Sequence, residues 1–412
     1  MTKKTTVSIK GEEPVQGFKK TKIGWIPDDW DVVPIGKIGK IINGLTYSPN
    51  DINENGILVL RSSNVQNRQL EFNDNVFVDV VQGNFNPVKE NDILICVRNG
   101  SRSLIGKNAL INKESAGYAF GAFMTVYRSE FNSFLFQLFD TDIYNREVHK
   151  NLGATINSIN GKDLKKFLVP LPPKQERGKI ASILSDWDEA IETTQILIEK
   201  LELRKKGLMQ QLLTGKTRLA GFRGEWSILK AGELFENHTD KNHDGTLEVL
   251  SATQDKGVIP RSEIGIDIKY NKDSLTSYKR LDVGDFVISL RSFQGGIEYS
   301  NYEGLVSPAY TVLREKKPIS KLYYREYMKT QSFINKLNSM IYGIRDGKQI
   351  SYKEFATMKF LYPSLEEQKA IADIIELANE EISQIKNYLE QLQSQKKGLM
   401  QQLLTGKIRV KI

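Results

Sequence analysis

Two long segments of the chain carry apolar residues at the spacing of a coiled coil. In the first segment, heptad position a holds Leu184, Ile191, Ile198, Lys205 and Leu212, and position d holds Ile180, Trp187, Thr194, Leu201 and Leu208. In the second segment, position a holds Ile375, Ile382, Leu389, Lys396 and Leu403, and position d holds Ile371, Ala378, Ile385, Leu392 and Leu399. A repeat sustained over about five heptads predicts two long helices that pack as a coiled coil.

Both segments are bounded by residues that start and stop helices. Pro172-Pro173 and Pro363 stand just ahead of the predicted helices, and Gly215 and Gly406 stand just past them. Proline tolerates the first turn of a helix because its missing N–H would be unpaired there, and glycine adopts the backbone conformation that ends one. These residues predict that the first helix lies between Pro173 and Gly215 and the second between Pro363 and Gly406.

One seam position is polar in both segments. Lys205 and Lys396 occupy the same a position, where a polar side chain lowers stability but fixes register and orientation. Two such helices in one chain, separated by a folded domain, would most simply pack antiparallel. At ~40 residues and about 1.5 Å per residue, each would be roughly 60 Å long, a rigid spacer.

The remaining segments have a different pattern, with short β-rich runs separated by turns. The runs include GILVLRSS (56–63), DILICVR (92–98) and GDFVISLRS (284–292), and the turns include Asn99-Gly100 and Gly295-Gly296. This pattern predicts sheet-rich α+β domains. Two segments near the ends of these domains, 134–145 and 321–340, are each predicted to form an amphipathic helix.

The sequence repeats itself at an offset of 191 residues. The twelve residues KKGLMQQLLTGK occur at 205–216 and again at 396–407, and they end an ungapped match of almost sixty residues that begins near Ile159 and Ile350. Further upstream the match is looser, with DDWDVVPIGKI (28–38) resembling GEWSILKAGEL (224–234), ENDILICVRNGS (90–101) resembling VGDFVISLRSFQ (283–294), and GAFMTVYR (121–128) resembling SPAYTVLR (307–314). The pattern predicts two tandem copies of one unit, which an antiparallel helix pair would relate by a pseudo-two-fold axis.

Length and composition place the chain among folded proteins with more than one domain, since 412 residues exceed one ordinary core. The one cysteine, Cys96, lies in the apolar run ILICV, which predicts a buried core residue and excludes an intrachain disulfide. The start lacks an apolar segment after its lysines, so we expect a flexible arm over 1–19 and a cytoplasmic location. His149, His238 and His243 lack metal-ligand spacing, so no zinc site is expected.

The positive charge is concentrated outside the predicted helices. Residues 174–216 carry eight basic and seven acidic side chains, and residues 365–407 carry five and seven. The helices are nearly neutral, so the net charge of +8 resides in the globular parts and the arm. Such a surplus fits binding to a polyanion, and it also fits the ordinary charge that keeps a protein soluble.

The sequence lacks the common catalytic motifs. Gly215-Lys216-Thr217 fails as a phosphate loop because Gln210 stands where the first glycine is needed, and Ile408 replaces the Ser or Thr in the second copy. The sequence contains no dinucleotide-binding glycine motif after a strand, no Asp/Asn-Pro-Pro-Tyr/Phe motif of amino-methyltransferases, no His-Glu-x-x-His motif and no nucleophile elbow. We therefore predict that the chain is not an enzyme.

A small set of motifs recurs at matching places in both copies. It consists of IGWIPDDWDV (23–32), the strand entries Asn91-Asp92 and Gly284-Asp285, the pair LVPLPPKQERGKIASIL (168–184) and FLYPSLEEQKAIADII (360–375), and the two dodecamers. In these features, and over nearly its whole length, the chain closely resembles the specificity subunit of type I restriction–modification systems.

The resemblance implies an α+β fold in which two β-rich target recognition domains are joined by two long antiparallel coiled-coil helices with pseudo-two-fold symmetry. The expected boundaries are 1–19 for the arm, 20–157 for recognition domain one, 158–216 for spacer helix one, 217–349 for recognition domain two and 350–412 for spacer helix two.

The resemblance also implies partners. Each recognition domain would read one half of a split, asymmetric site in double-stranded DNA, and the helices would set the gap and dock two methyltransferase (modification) subunits. Two restriction/translocase subunits would join the complex, and no membrane would be involved. The chain itself would hold no cofactor, since S-adenosylmethionine, ATP and Mg would act in the partner subunits.

Polar side chains next to predicted strands are candidates for DNA contact, because Arg can bind a guanine edge and Asn or Gln an adenine edge with two hydrogen bonds. In domain one the candidates are Tyr47, Arg61, Ser62, Asn64, Gln66, Arg98, Asn99, Ser101, Arg102 and Lys107. In domain two they are Lys241, Ser251, Thr253, Gln254, Arg291, Ser292 and Gln294. Each has the alternative of capping a loop or contacting a phosphate, and the equivalent positions of Arg98 and Arg291 favour phosphate anchoring.

Two other functions fit parts of the pattern. A coiled-coil scaffold whose globular domains bind proteins would show the same repeat and helices. A self-sufficient restriction enzyme would need the catalytic motifs that the sequence lacks.

Overall fold

The computed structural model describes residues 16–80, 84–152, 157–254, 256–264, 272–290, 292, 296–339 and 350–412. The chain divides into two compact units. Unit one comprises residues 1–194 and 388–412, and unit two comprises residues 195–387. Most of the predicted arm lies outside the described residues, and the first strand begins at Phe18, within the range that we assigned to it.

The described helices include two long ones and several short ones. They are α1 (Ile35–Ile38), α2 (Asn132–Leu138), α3 (Asp142–Asn151), α4 (Gly161–Leu164), α5 (Lys174–Leu212), α6 (Ala231–Leu234), α7 (Lys321–Tyr327), α8 (Gln331–Ser339), α9 (Tyr352–Phe355) and α10 (Leu365–Leu403). Short 3₁₀ turns occur at Pro49–Asp51, Ser62–Asn64, Arg102–Leu104, Arg261–Ile264 and Lys272–Ser277. The long helices α5 and α10 start and stop where the proline and glycine signals predict.

The strands of unit one include one that overlaps the run predicted at 56–63 and one that lies within the run predicted at 92–98. They are β1 (Phe18–Thr21), β2 (Gly24–Pro27), β3 (Asp31–Pro34), β4 (Lys40–Asn43), β5 (Ile52–Leu60), β6 (Val65–Gln66), β7 (Gln69–Leu70), β8 (Phe77–Val78), β9 (Ile93–Cys96), β10 (Asn108–Leu110), β11 (Ala119–Phe120), β12 (Met124–Arg128) and β13 (Leu168–Leu171). The main sheet is antiparallel in the order β10-β9-β12-β4, and β13 pairs with β3.

Unit two repeats this arrangement. Its strands are β14 (Ser227–Lys230), β15 (Phe235–His238), β16 (Leu250–Thr253), β17 (Gly257–Pro260), β18 (Lys279–Leu281), β19 (Phe286–Ile288), β20 (Glu298–Tyr299), β21 (Gly304–Val306), β22 (Thr311–Glu315) and β23 (Lys359–Tyr362). Its main sheet has the order β20-β19-β22-β15, which matches the sheet of unit one strand for strand, and β23 pairs with β14 as β13 pairs with β3. The predicted duplication is therefore confirmed at the level of topology.

In each unit one hydrophobic core joins the globular domain to parts of both long helices. The core of unit one contains Trp30, Tyr127, Phe134 and Phe167 together with Ile180 and Leu184 of α5 and Met400 and Leu403 of α10. The core of unit two contains Phe235, Tyr323, Tyr324 and Phe360 together with Leu212 of α5 and Ile371 and Ile375 of α10. Since burying one large apolar side chain contributes about 1.5–3 kcal/mol, each domain is held firmly to its helix segments.

The heptad prediction is confirmed, because every predicted a and d residue in both helices is buried or half-buried. The antiparallel direction shows in the pairs that join the helices within unit one. Lys396 of α10 donates to Asp188 of α5, and Arg409, just beyond the end of α10, donates to Glu176 in the first turn of α5. Moving forward along α5 therefore corresponds to moving backward along the second segment.

The same direction holds in unit two, where exposed ion pairs join the two helices. Lys386 donates to Glu202 at 2.6 Å, and Arg204 contacts Glu381. Such exposed pairs contribute little free energy, so the buried apolar seam carries the association.

Three side chains of unit one, Trp30, Glu176 and Arg409, form a hydrogen-bonded cluster that we call the lock. The Trp30 indole donates to Glu176 Oε2 at 3.0 Å, and Arg409 donates to both oxygens of that buried carboxylate at 2.6 and 2.7 Å. Arg409 also donates to both oxygens of Asp29, which lowers the pKa of Asp29. The residues that follow the second dodecamer therefore fasten it to the start of the first domain.

Unit two contains the equivalent lock. The Trp226 indole donates to Glu367 Oε2 at 2.8 Å, and Arg218 donates to Glu367 at 2.6 and 2.7 Å. Trp226, Glu367 and Arg218 match Trp30, Glu176 and Arg409 in the internal repeat. Because hydrogen bonds to a buried carboxylate are short and strong, the repeat preserves this lock in both copies.

A buried ion pair also recurs at the start of the central strands. Arg128 binds Asp92 through two hydrogen bonds of 2.8 and 2.6 Å, and Arg314 binds Asp285 at 2.9 and 2.6 Å. Both aspartates are 1% exposed. Cys96, at the end of β9, is fully buried as predicted, and burial raises the pKa of its thiol.

The prediction of one amphipathic helix at each of 134–145 and 321–340 is wrong in detail, because each segment is divided into two helices. In domain one, Thr141 adopts an extended backbone between α2 and α3. In domain two, Thr330 separates α7 from α8, and its hydroxyl donates to the Tyr327 carbonyl. A threonine that bonds to nearby backbone competes with continued helix, and apolar periodicity alone does not reveal that break.

Candidate nucleic-acid interface

The loops that follow β5 and β9 meet in domain one. The Asn99 amide donates to Ser62 Oγ at 3.0 Å, and Lys107 Nζ donates to the Ser62 carbonyl and to Gln66 Oε1, each at 3.3 Å. We call Ser62, Gln66, Asn99 and Lys107 the domain-one polar cluster. All four are among the residues that the sequence predicts to contact DNA, and the structure brings them together.

The turn that presents Ser62 is built by two other candidates. Asn64 is fully buried, where its oxygen accepts from the Arg61 amide at 3.0 Å and its nitrogen donates to the Glu71 and Asp74 carbonyls. The Arg61 guanidinium forms an ion pair with the Asp74 carboxylate at 2.9 Å. Arg61 and Asn64 are therefore engaged in shaping the loop.

A tight hairpin between β6 and β7 presents Gln66. Its two turn residues, Asn67 and Arg68, have φ values of 48° and 67°, the left-handed conformation that a type I′ turn requires. Arg68 offsets the strain by donating to Asn108 Oδ1 at 3.0 Å and by stacking on the Phe136 ring at 3.9 Å. Burial lowers the pKa of its guanidinium. Arg68 thus anchors the hairpin to the body of the domain.

Arg98 lies on the exposed surface next to an exposed aromatic ring. Its guanidinium is 5.7 Å from the centre of the Phe123 ring, and Phe123 is 56% exposed. Ser101 and Arg102 are also exposed, and the Ser101 amide donates to Asn99 Oδ1 at 2.9 Å. A cation beside an exposed ring can contact a phosphate or stack on a base.

Charge and burial in the polar cluster favour contact with an anion. Lys107 is half-buried, and this burial lowers the pKa of its ammonium. The Ser62 carbonyl and Gln66 Oε1, to which it donates, are neutral oxygens, so a phosphate would supply the countercharge. Tyr47 is half-buried against the small core of Val59, Val78 and Ala119.

In domain two, three candidates are engaged in local structure. Ser251 is buried and accepts from Arg261 Nε at 3.0 Å, and the Thr253 hydroxyl donates to the Gly257 carbonyl at 2.9 Å. Ser292 is 1% exposed and accepts from the Ser289 amide at 2.8 Å. These side chains shape turns, the alternative that sequence analysis left open.

The other candidates of domain two are exposed or undescribed. Lys241 and Gln254 are exposed, with Gln254 at the tip of the β16–β17 hairpin. Lys241 also helps burial to lower the pKa of nearby Lys279, so positive charge collects there. Arg291 and Gln294 lie outside the described residues.

Phe123 and Lys279 were not among the residues predicted from the sequence. The alignment of GAFMTVYR with SPAYTVLR places Phe123 opposite Ala309, so an aromatic residue occurs in one copy only. That difference at the edge of a matched strand was the available signal. Lys279 carried no distinguishing pattern.

Within the described ranges, no group of three or more His, Cys, Asp or Glu side chains could hold a metal ion. His243 instead hydrogen-bonds the Tyr278 carbonyl through Nε2 at 2.9 Å. In the same ranges, every helix is too short or too polar to cross a membrane.

The profile of the family described as "Type I restriction modification DNA specificity domain" matches residues 27–203 and 224–393, one match in each repeat. Similar curated proteins include the MjaX type I restriction enzyme specificity subunit of Methanocaldococcus jannaschii, which is 27% identical over 96% of this chain and 97% of its own length. The EcoKI specificity subunit of Escherichia coli is 23% identical over 86% of this chain and 82% of its own length.

Solved structures show the same fold. The S subunit of a type I restriction-modification system from M. genitalium has a TM-score of 0.57 at 17% identity, covering 91% of this chain and 96% of its own. A chain from another type I R-M system has a TM-score of 0.55 at 15% identity, covering 93% of this chain and 99% of its own.

Proposed function

We propose, from the premise that this chain belongs to the family of type I restriction modification DNA specificity domains, that it reads a split site in double-stranded DNA. The chain is a specificity subunit of a type I restriction–modification system, a DNA-recognition subunit and not an enzyme. Each recognition domain would read one half of the site.

The observation that carries this proposal is the repeated sheet with divergent loops. Both domains share one strand order and one buried arginine–aspartate pair, yet their loops differ in length and side chains. A common frame with different polar tips suits two readers of two different half-sites. Duplex DNA presents equivalent grooves about 34 Å apart, so duplicated readers on a rigid spacer match its geometry.

In domain one, the reading surface comprises the domain-one polar cluster with Arg98 and Phe123 beside it. Gln66 is exposed, and its amide would exchange its hydrogen bonds with Ser63 and Lys107 for the two that read adenine. Lys107 and Arg98 supply positive charge for phosphates. In domain two, Lys241 and Gln254 would have the corresponding roles.

The partners and cofactors follow from the same proposal. The helices α5 and α10 set the gap between half-sites and dock two methyltransferase subunits, through which two restriction/translocase subunits join. S-adenosylmethionine, ATP and Mg act in those partner subunits.

Methylation mapping tests the function directly. Genomic DNA from cells that express the partner subunits with and without this chain is sequenced for methylated adenine. We expect one split, asymmetric motif to be methylated only when the chain is present. A scaffold protein would instead leave the methylated motif unchanged, and that outcome would overturn the proposal.

Domain exchange tests the assignment of half-sites. Replacing residues 217–349 with the variable domain of another family member should change one half of the methylated motif and leave the other half intact. Changes in both halves would contradict independent reading by the two domains.

Inserting one heptad into each long helix tests the spacer. The insertion adds about 10 Å, so the gap should grow by roughly three base pairs at about 3.4 Å each. A matched variant that replaces exposed positions of one heptad, without changing its length, should keep the original gap. An unchanged gap in the longer protein would show that the helices are not the ruler.

A further inference from the structure

The polar seam lysine of each long helix lies at a junction of three segments. These are the first helix after the main sheet of the domain, the long helix that follows that domain, and the other long helix. The two junctions hold equivalent positions of the repeat, so any difference between them belongs to the particular domain.

In unit one the carboxylate of the junction belongs to the long helix. Lys396 of α10 is 7% exposed and donates to Asp188 Oδ1 of α5. Gln137 of α2 is 1% exposed and donates from Nε2 to Asp188 Oδ2 at 2.6 Å. Arg68 adds a positive charge that is felt by Asp188, and it is balanced by Asp140 at 3.7 Å. Here the domain offers Asp188 a neutral amide.

In unit two the carboxylate that forms an ion pair with the lysine belongs to the domain, and the charge of the lysine also acts on Glu376 of the long helix. Lys205 Nζ of α5 lies 3.6 Å from Glu326 Oε2 of α7. In return, Arg325 of α7 contacts Glu376 of α10 and also donates to Glu326 Oε1 at 2.9 Å. Asn379 of α10 donates to Glu376 at 3.3 Å. The domain helix α7 therefore forms two ion pairs with the long helices, one between Glu326 and Lys205 and one between Arg325 and Glu376.

Two pairs of equivalent positions carry different charges in the two repeats. Gln137 and Glu326 are each the sixth of seven residues in helices whose last five residues have the same burial pattern, and Asp188 and Asn379 are related by the 191-residue offset. The carboxylate has moved from long helix to domain helix while the lysine has stayed. The flanking positions differ in the same sense, with Phe136 opposite Arg325 and Ser185 opposite Glu376.

We propose that the charges at these junctions match each recognition domain to its own helix segments, with Gln137 and Glu326 as the positioning residues. We call each matched set of charges a charge address. Domain two in the place of domain one would set Glu326 against Asp188, two carboxylates at one lysine, and would leave Arg325 facing Ser185. Domain one in the place of domain two would leave Arg325's partner, Glu376, facing Phe136. Because a half-buried like-charge contact is unfavourable, each domain docks best in its own position.

A charge-relocation cycle in the full-length chain tests the address. Gln137→Glu alone and Asp188→Asn alone should each lower the urea midpoint of unfolding, the first by placing two carboxylates together and the second by leaving Lys396 without its carboxylate. The double variant rebuilds the unit-two arrangement in unit one. It should recover the larger part of the loss, which a merely structural role of either side chain would not produce.

The mirror cycle repeats the test in unit two. Glu326→Gln should lower the midpoint. Adding Asn379→Asp together with Arg325→Phe and Glu376→Ser should restore the larger part of the loss by rebuilding the unit-one arrangement, since Glu376 would otherwise face the new carboxylate. Glu202→Gln is the matched control, because it removes an ion pair between the same two helices whose side chains are about half exposed. That control should leave the midpoint nearly unchanged.

A domain graft tests the consequence for assembly. Domain two grafted into the first position should give a higher midpoint when the helix carries Ser185→Glu and Asp188→Asn than when it is native. With the native domain one, the same two helix changes should lower the midpoint. Additive effects in both cycles, or a graft indifferent to the helix changes, would overturn the proposal.

The inference rests on the proposed function only in calling the two domains recognition domains. Unfolding in urea requires no DNA and no partner subunit, so failure of the charge cycles would refute the address alone. Failure of the methylation mapping would refute the proposed function and leave the charge cycles standing.

Discussion

At the scale of single residues, the two repeats have the same residues around buried carboxylates and different residues at the candidate DNA surface. The tryptophan, glutamate and arginine of the lock are the same in both units. Phe123, beside the exposed Arg98, has Ala309 as its counterpart. Side chains that neighbour buried carboxylates cannot change without leaving a charge unpaired, whereas exposed loop residues are free of that constraint.

Asn64 and Gln66 are near neighbours with opposite expected roles. Asn64→Ala should lower the free energy of unfolding by about 1–3 kcal/mol, because it leaves the Arg61 amide and two carbonyls without their buried partner. Gln66→Ala should leave stability unchanged and weaken binding to the cognate half-site. Urea unfolding and DNA binding of the reconstituted complex measure the two effects, and equal destabilisation by both variants would contradict the division.

Arg98 should act on phosphates. Arg98→Ala is expected to weaken binding to cognate and non-cognate DNA to a similar extent and to reduce the salt slope of log K by about one. The measurement is binding of the reconstituted complex at several salt concentrations. A loss confined to one base pair of the site would instead assign Arg98 to base reading.

At the scale of elements, the glycine after each long helix has two tasks. Gly406 has a φ of +70°, which ends α10, and a Cβ there would lie 2.3 Å from Pro27 Cγ. Glycine is therefore required both by the backbone conformation and by close contact with the first domain. The C-terminal glycine of the dodecamer is part of the tertiary structure as well as a helix stop.

Two glycines of α10 and its end make a matched pair for testing this. Gly406→Ala should be destabilising, since it adds both backbone strain and a steric clash. Gly398→Ala, within the helix and with nothing within 4 Å of its Cβ, should stabilise by about 0.5–1 kcal/mol. Thermal unfolding measures both, and a neutral Gly406→Ala would show that the helix end can yield.

What the sequence could predict depended on the range of the interactions. The long helices follow from heptad burial, which is decided by residues three and four positions apart, so their bounds and seams were predictable. The break at Thr141 depends on one extended residue, and the meeting of Ser62 with Asn99 joins side chains 37 positions apart. Chain pattern alone could name the members of the polar cluster but could not show which of them touch.

At the scale of the whole molecule, each unit has its own core and its own lock. Glu176→Gln should therefore loosen unit one, and Glu367→Gln should loosen unit two, because each leaves one arginine facing a neutral amide. Hydrogen exchange of the full chain distinguishes the two outcomes, and each variant is the control for the other. Equal loss of protection in both units from either variant would contradict separate locks.

The composition of unit one has a consequence for the order of folding. Unit two is continuous from 195 to 387, whereas unit one needs residues 388–412 as well as 1–194. During synthesis domain one emerges first, but Arg409 and the second half of its helix pair are made only after all of unit two. The nascent chain thus completes its second unit before its first, and Glu176 lacks its arginine partner until that late segment is synthesised.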